Sequence, residues 1–170
     1  ADATDIFEEG RRLAEAAGDV RSQAALHGAY GCVVGLVGGD SDEYVRYSLE
    51  ATRLAEQTED QGLQIAQRAF VGFASTFAGR LAEGLESCET ACRMLPADIA
   101  LGAEFTGYSP FLGILMTHAW LLARLGRLDD LVHELLHFGG IGPALVEDGP
   151  HGERFQGHVG LVLEIDEDLR

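Results

Sequence analysis

The stretch Gly72-Phe73-Ala74-Ser75-Thr76-Phe77-Ala78-Gly79-Arg80-Leu81-Ala82-Glu83-Gly84-Leu85-Glu86-Ser87-Cys88-Glu89-Thr90-Ala91-Cys92-Arg93-Met94-Leu95-Pro96 decides the fold. On both sides of Gly79, apolar and small residues recur every three or four positions, the period of a helix with one buried face. Gly79 stops the first run, because glycine accepts the left-handed backbone that ends a helix. Pro96 stops the second, because it cannot continue a helix. Two helices joined by so short a turn form a hairpin. Gly72, seven residues before the turn glycine, is small where the two helices approach each other.

Outward from this hairpin the helical period continues. A first helix through Ile6, Leu13, Ala14 and Ala17 ends at Gly18, and a second runs from Asp19 through Val33 and Leu36. The turn Gly38-Gly39-Asp40-Ser41-Asp42 supplies N-cap residues for a third helix over 43–57. Further helices are predicted over 61–78, 82–95, 111–125 and 129–138, with a short one around 100–105 in the connection from Pro96 to Pro110. The pattern repeats weakly. Arg-Leu-Ala-Glu occurs at 12–15 and 53–56, and Gly38 and Gly79 are likewise 41 residues apart. Gly126 closes a third turn, and Gly31, Gly72 and Ala119 each precede a turn glycine by seven residues. The expected fold is all-α, with about three hairpins in residues 1–146 stacked into an α-α superhelix. Residues 147–170 read as a loop and tail, with 158–165 open between a short strand and a capping helix.

The stretch 72–96 resembles a tetratricopeptide repeat: Gly72, Gly79-Arg80-Leu81 at the turn, Gly84, Ala91 and the terminal Pro96 match that family in type and spacing. Residues 119–138 match in part, through Ala119, Gly126-Arg127-Leu128, Leu131, Leu135 and Phe138. Residues 31–57 match least, with Tyr44 at a small-residue position. The spacing exceeds the family's usual length of about 34 residues. In this the chain is similar to the helical-repeat region of large bacterial signalling ATPases and of adenylate and guanylate cyclases. The resemblance implies a protein-binding regulatory module within a larger cytoplasmic signalling protein. An acidic start without Met also suits a piece of a longer chain.

Composition narrows the chemistry. All 12 basic residues are arginine, so the chain offers no P-loop lysine, no Schiff-base lysine and no kinase lysine. A net charge of −16 opposes phosphate neutralisation and argues against nucleic acid. The longest apolar run, 110–123, is broken by Thr117 and His118 and is too short to span a bilayer, so no membrane association is expected. An odd set of cysteines, Cys32, Cys88 and Cys92, suits reduced thiols in a cytoplasm.

One catalytic motif stands out: His133-Glu134-Leu135-Leu136-His137. On a helix, His133 and His137 share a face and can hold zinc, with Glu134 as general base of a metal-dependent hydrolase. Gly140 fits the longer metallopeptidase motif, but Pro143 stands where its third ligand belongs. Glu147, His151, Glu153, His158 or Glu164 would have to replace that ligand. The repeat register uses the same residues differently: Leu131, Leu135 and Phe138 point inward, which leaves His133, Glu134 and His137 outward. That register predicts a non-catalytic protein without cofactor, and zinc hydrolysis is the competing reading.

A stack of hairpins lines its concave groove with the first helix of each. The candidate groove residues are therefore Gln23, His27 and Tyr30; Gln64, Arg68 and Phe73; and Met116 and His118. The expected partner is a protein or peptide, basic or apolar, or a neighbouring domain of the same chain. Arg68 is read as a fork for carboxylates, and Trp120 as packed between hairpins.

Overall fold

A computed structural model describes residues 2–94 and 98–139; for 134–139 it describes the backbone alone. Contacts divide the chain into two units, 1–131 and 132–170. All elements among the described residues are helices: α1 (Ala3–Ala17), α2 (Val20–Cys32), α3 (Ser41–Ala55), α4 (Gln61–Phe77), α5 (Leu81–Met94), α6 (Ala103–Thr106), α7 (Pro110–Arg124) and α8 (Leu128–Gly139). Those up to Leu131 make the first unit, and the rest of α8 is the described part of the second. The tail 147–170 lies outside the described residues.

Aspartates start the first four of these helices. Asp19, Asp40 and Asp60 accept the backbone N–H of Ser22, Glu43 and Leu63, each three residues on. Each bond satisfies one of the donors that a helix start leaves orphaned. Asp2 and Asp5 form a reciprocal capping box on α1.

Three turns share one closing bond, and the α2–α3 turn departs from it instructively. Asp19, Arg80 and Arg127 each donate their N–H to a carbonyl five residues back, across a left-handed Gly18, Gly79 or Gly126. The α2–α3 turn instead bonds Asp40 N–H to the Val34 carbonyl, six residues back. The reason is a π-helical extension of α2 over Val33–Val37, which carries one extra residue per turn. Gly39 therefore takes the left-handed backbone, and Gly38, the expected turn glycine, is helical at φ −78°.

Packing follows the chain. α2 packs on α3, α3 on α4, α4 on α5 and α5 on α7, while α2 also meets α4 and α4 meets α7. α1 lies against α2. Small residues set the close approaches. A Cβ on Gly72 would stand 2.5 Å from the Cys88 sulfur on α5, and one on Gly31 would stand 2.9 Å from Tyr47 Cβ on α3. Tyr44, the bulky residue at a small-residue position, is fully buried because Gly31 and Gly35 on the facing helix leave room for its ring. The small residue has moved to the other side of the contact. Ile65, Leu85, Cys88, Ile114, Leu121 and Leu122 form the largest core cluster, where α4, α5 and α7 meet. Burial of each large apolar side chain there contributes about 1.5–3 kcal/mol.

Candidate functional site

A cavity of about 730 Å³, mostly apolar, opens between α2, α4 and α7. Ala29, Cys32 and Leu36 line it from α2 and its π-helical extension, Phe70 and Phe73 from α4, and Leu112, Met116 and Thr117 from α7. Tyr44 of α3 reaches it from behind, and Phe105, Thr106, Tyr108 and Ser109 close one side.

That side is the connection between α5 and α7, and local chemistry fixes its course. Gly102 and Gly107, both left-handed, flank the single turn of α6. Gly62 at the start of α4 lets Gly102 approach closely; a Cβ there would stand 3.0 Å from the Gly102 nitrogen. Ser109 donates its hydroxyl proton to the Ile99 carbonyl and caps α7 by accepting from Leu112 N–H. Pro110 then occupies the first turn of α7, where its missing N–H costs nothing.

The cavity wall carries no charge. Among the described residues, no Asp, Glu, Arg or His lines it. Its titratable groups stay protonated at neutral pH, because burial pushes up the Cys32 thiol, the Tyr44 phenol and the Tyr108 phenol. Cys32 and Tyr44 are hydrogen-bonded to each other at 3.0 Å. The absence of acid extends to whole helices. α2, α4 and α7 contain no Asp or Glu, whereas α1, α3, α5 and α8 each contain several. Of the 28 acidic residues, 13 thus lie on these four helices and none on α2, α4 or α7.

Of the residues expected in a groove, Phe73 and Met116 line this cavity. An aromatic path leads away from it: Phe73 meets Phe77 edge-on at 5.0 Å, and Phe77 meets Trp120 edge-on at 6.2 Å. Trp120 is 44% exposed rather than packed between hairpins, because it lies on the same face of α7 as the exposed Leu112 and Met116. The spacing of four in Leu112, Met116 and Trp120 is the sequence signal that marks this face.

The other expected groove residues lie elsewhere. α1 covers the part of α2 that carries three of them. Gln23 donates to the Ala14 carbonyl at 3.4 Å, and the Tyr30 hydroxyl bonds Thr4 Oγ1 at 3.0 Å. The Tyr30 ring stacks on Phe7 at 4.2 Å, and His27 meets Phe7 edge-on at 5.3 Å. Burial lowers the His27 pKa, and its Nδ1 is buried without a hydrogen bond. Gln64 donates to the Thr58 carbonyl at 2.8 Å and so braces the α3–α4 turn. Arg68 lines a separate, polar cleft of about 300 Å³ between α3, α4 and α5, where it pairs with Glu56. One arm of its fork is thus engaged, while its Nε is buried without a hydrogen bond. His118 is half-buried on α7 and is absent from the cavity wall.

The motif His133-Glu134-Leu135-Leu136-His137 falls within α8, so its two histidines are one helical turn apart. His133 is exposed, and Leu131 packs against the core cluster. The side chains of Glu134, Leu135, His137 and Phe138 lie outside the described residues, as do Glu147, His151, Glu153, His158 and Glu164. Among the described residues no three His, Cys, Asp or Glu side chains gather as a metal site, and no helix is long and apolar enough to cross a membrane.

The residues missed in the sequence are mainly those of the connection. Phe105, Thr106 and Tyr108 stand in a segment that reads as a loop with a short helix, and their use as a wall depends on contacts with distant α4. No protein-family model, curated protein or solved structure matches the chain.

Proposed function

We propose that this chain is a non-catalytic binding module, built from tetratricopeptide-like hairpins stacked into an α-α superhelix, which holds an apolar segment of a protein partner. Three features support the stack. The first helices α2, α4 and α7 meet in succession, each hairpin turn closes on a left-handed glycine, and small residues stand where paired helices approach. The observation that carries the binding reading is the face of α2, α4 and α7: acid-free, apolar, lined by exposed Met116 and continued beyond the cavity by exposed Phe77 and Trp120. Exposed aromatic side chains beside an apolar depression are the usual anchors of a protein interface. With no acid on these three helices, the preferred partner is apolar rather than basic. By its resemblance to the repeat regions of bacterial signalling ATPases and cyclases, the module would pass partner binding to an output domain of a longer cytoplasmic protein.

The test is selection of binders from a random peptide library displayed on phage. The expected peptides are rich in Leu, Phe and Trp, bind the unaltered chain, and lose at least tenfold in affinity to Met116→Asp and to Phe77→Asp. Binders that tolerate both substitutions but lose affinity to Arg68→Ala would move the partner site to the polar cleft and refute this assignment.

A further inference from the structure

We propose that the cavity between α2, α4 and α7 is also a small-molecule site, which takes an uncharged, largely apolar ligand of aromatic or fused-ring shape. This goes beyond a protein partner, since the site needs none to be filled.

Three observations carry the inference. The first is size: about 730 Å³ lies within the range of roughly 300–1,000 Å³ that small-ligand pockets occupy. The second is convergence. Walls of this half-open depression come from four separate helices and from the α5–α7 connection, so a ligand would touch several elements at once. The third is the chemistry of the wall. Phe70, Phe73, Leu112 and Met116 give an apolar and polarisable lining. The neutral Cys32–Tyr44 pair and the half-exposed Tyr108 supply polar atoms without charge. In a chain with 24% charged residues, a cavity this large without one charged lining residue selects strongly against ions. An ion entering it would lose hydration with no opposite charge to offset the loss. A neutral ring system would lose little and would gain contact with the aromatic walls.

The experiment uses three probes of one shape: 1-naphthalenemethanol, which is neutral, 1-naphthoate, an anion, and 1-naphthylmethylammonium, a cation. The chain has two methionines, which makes methyl-labelled NMR simple. Met116 lines the cavity, and Met94 packs against the core cluster instead. The neutral probe is expected to shift the Met116 methyl signal in a saturable way while Met94 stays still. The two ions are expected to bind at least tenfold more weakly. Leu112→Asp, about half exposed in the first turn of α7 where an acid suits the helix, places a charge on the wall without loss of fold. It should weaken the neutral probe at least tenfold and invert the order so that the cation binds best. A cavity filled by Ala29→Phe should abolish binding of all three. No saturable Met116 shift at millimolar neutral probe, equal binding of ions and neutral probe, or indifference to Leu112→Asp would each overturn the proposal. Failure to select any peptide that Met116→Asp and Phe77→Asp weaken, with probe binding intact, would overturn the partner reading and leave this one standing.

Discussion

Gly72→Ala is a severe test of the hairpin packing, because its sign depends on a single neighbour. The added Cβ would stand 2.5 Å from Cys88 Sγ, while the next atoms, the Gly84 carbonyl oxygen and Thr117 Cγ2, lie at 3.6 and 3.7 Å in ordinary contact. Cys88 is fully buried and cannot swing into solvent. Relief of the overlap therefore requires α4 and α5 to separate or the thiol to leave its place, an overpacking cost of about 2–3 kcal/mol. Alanine in place of glycine within a helix returns about 1 kcal/mol. The net loss is about 1–2 kcal/mol, or about 2–8 °C in Tm for a chain of this size. Cys88→Ala alone costs about 1–2 kcal/mol through the emptied core space. Combined, the two changes should not add. Without the sulfur the new methyl fits, the helix-propensity gain remains, and Gly72→Ala becomes neutral or stabilising. The coupling is about 2 kcal/mol, well above the error of a double-mutant cycle. Urea unfolding followed by far-UV circular dichroism on the four proteins measures it. Equal destabilisation by Gly72→Ala with Cys88 intact and in the Cys88→Ala background would refute the helix contact described for this hairpin.

Other expectations are simpler. Burial lowers the His27 pKa, so the unfolded chain takes up this proton first as pH falls; stability should decline below about pH 6.5 until the folded value is passed, and His27→Gln should flatten that decline in urea midpoints measured from pH 7.5 to 5. Asp60 carries a different sign: burial opposes its charge, but the bonds from Arg21 and Leu63 N–H outweigh that and hold its carboxyl below the usual range. Its contribution is therefore present at neutral pH and fades in acid, and Asp60→Ala should cost about 1–2 kcal/mol at pH 7, through the lost cap, in a thermal melt. Gly79 is left-handed with open space around it, so Gly79→Val should cost about 1–2 kcal/mol by backbone strain alone, with Gly79→Asn milder in the same melt. Metal analysis of the purified chain should find zinc well below one equivalent; a full equivalent that His137→Ala removes would favour the hydrolase over the binding module.

Much of the helical framework was legible in the sequence because its signals are local. Asp19, Asp40, Asp60 and Ser109 stand where caps belong, Gly18, Gly79 and Gly126 where helices end, and the apolar period between them fixes which face is buried. The π-helical turn was not legible, since Val33–Val37 reads as ordinary apolar helix, and it displaced one turn glycine from Gly38 to Gly39. The site was less legible than the framework. Phe73 and Met116 follow from the choice of first helices, but Gln23, His27 and Tyr30 do not reach the cavity, because α1 packs over their side of α2. Arg68 sits one helical face away from the cavity, and its partner Glu56 lies beyond the end of α3, which no periodicity reveals.

The allocation of acids to alternate helices has a practical consequence. Much of the acidic charge that keeps copies of the chain apart is carried by α1, α3, α5 and α8, and the surface that meets a ligand belongs chiefly to α2, α4 and α7. Because the two sets of residues do not overlap, solubility and recognition can drift independently. The lining of the cavity can be rewritten for a new ligand without touching colloidal stability. The acidic helices can in turn be tuned to a new ionic environment without disturbing what the cavity selects.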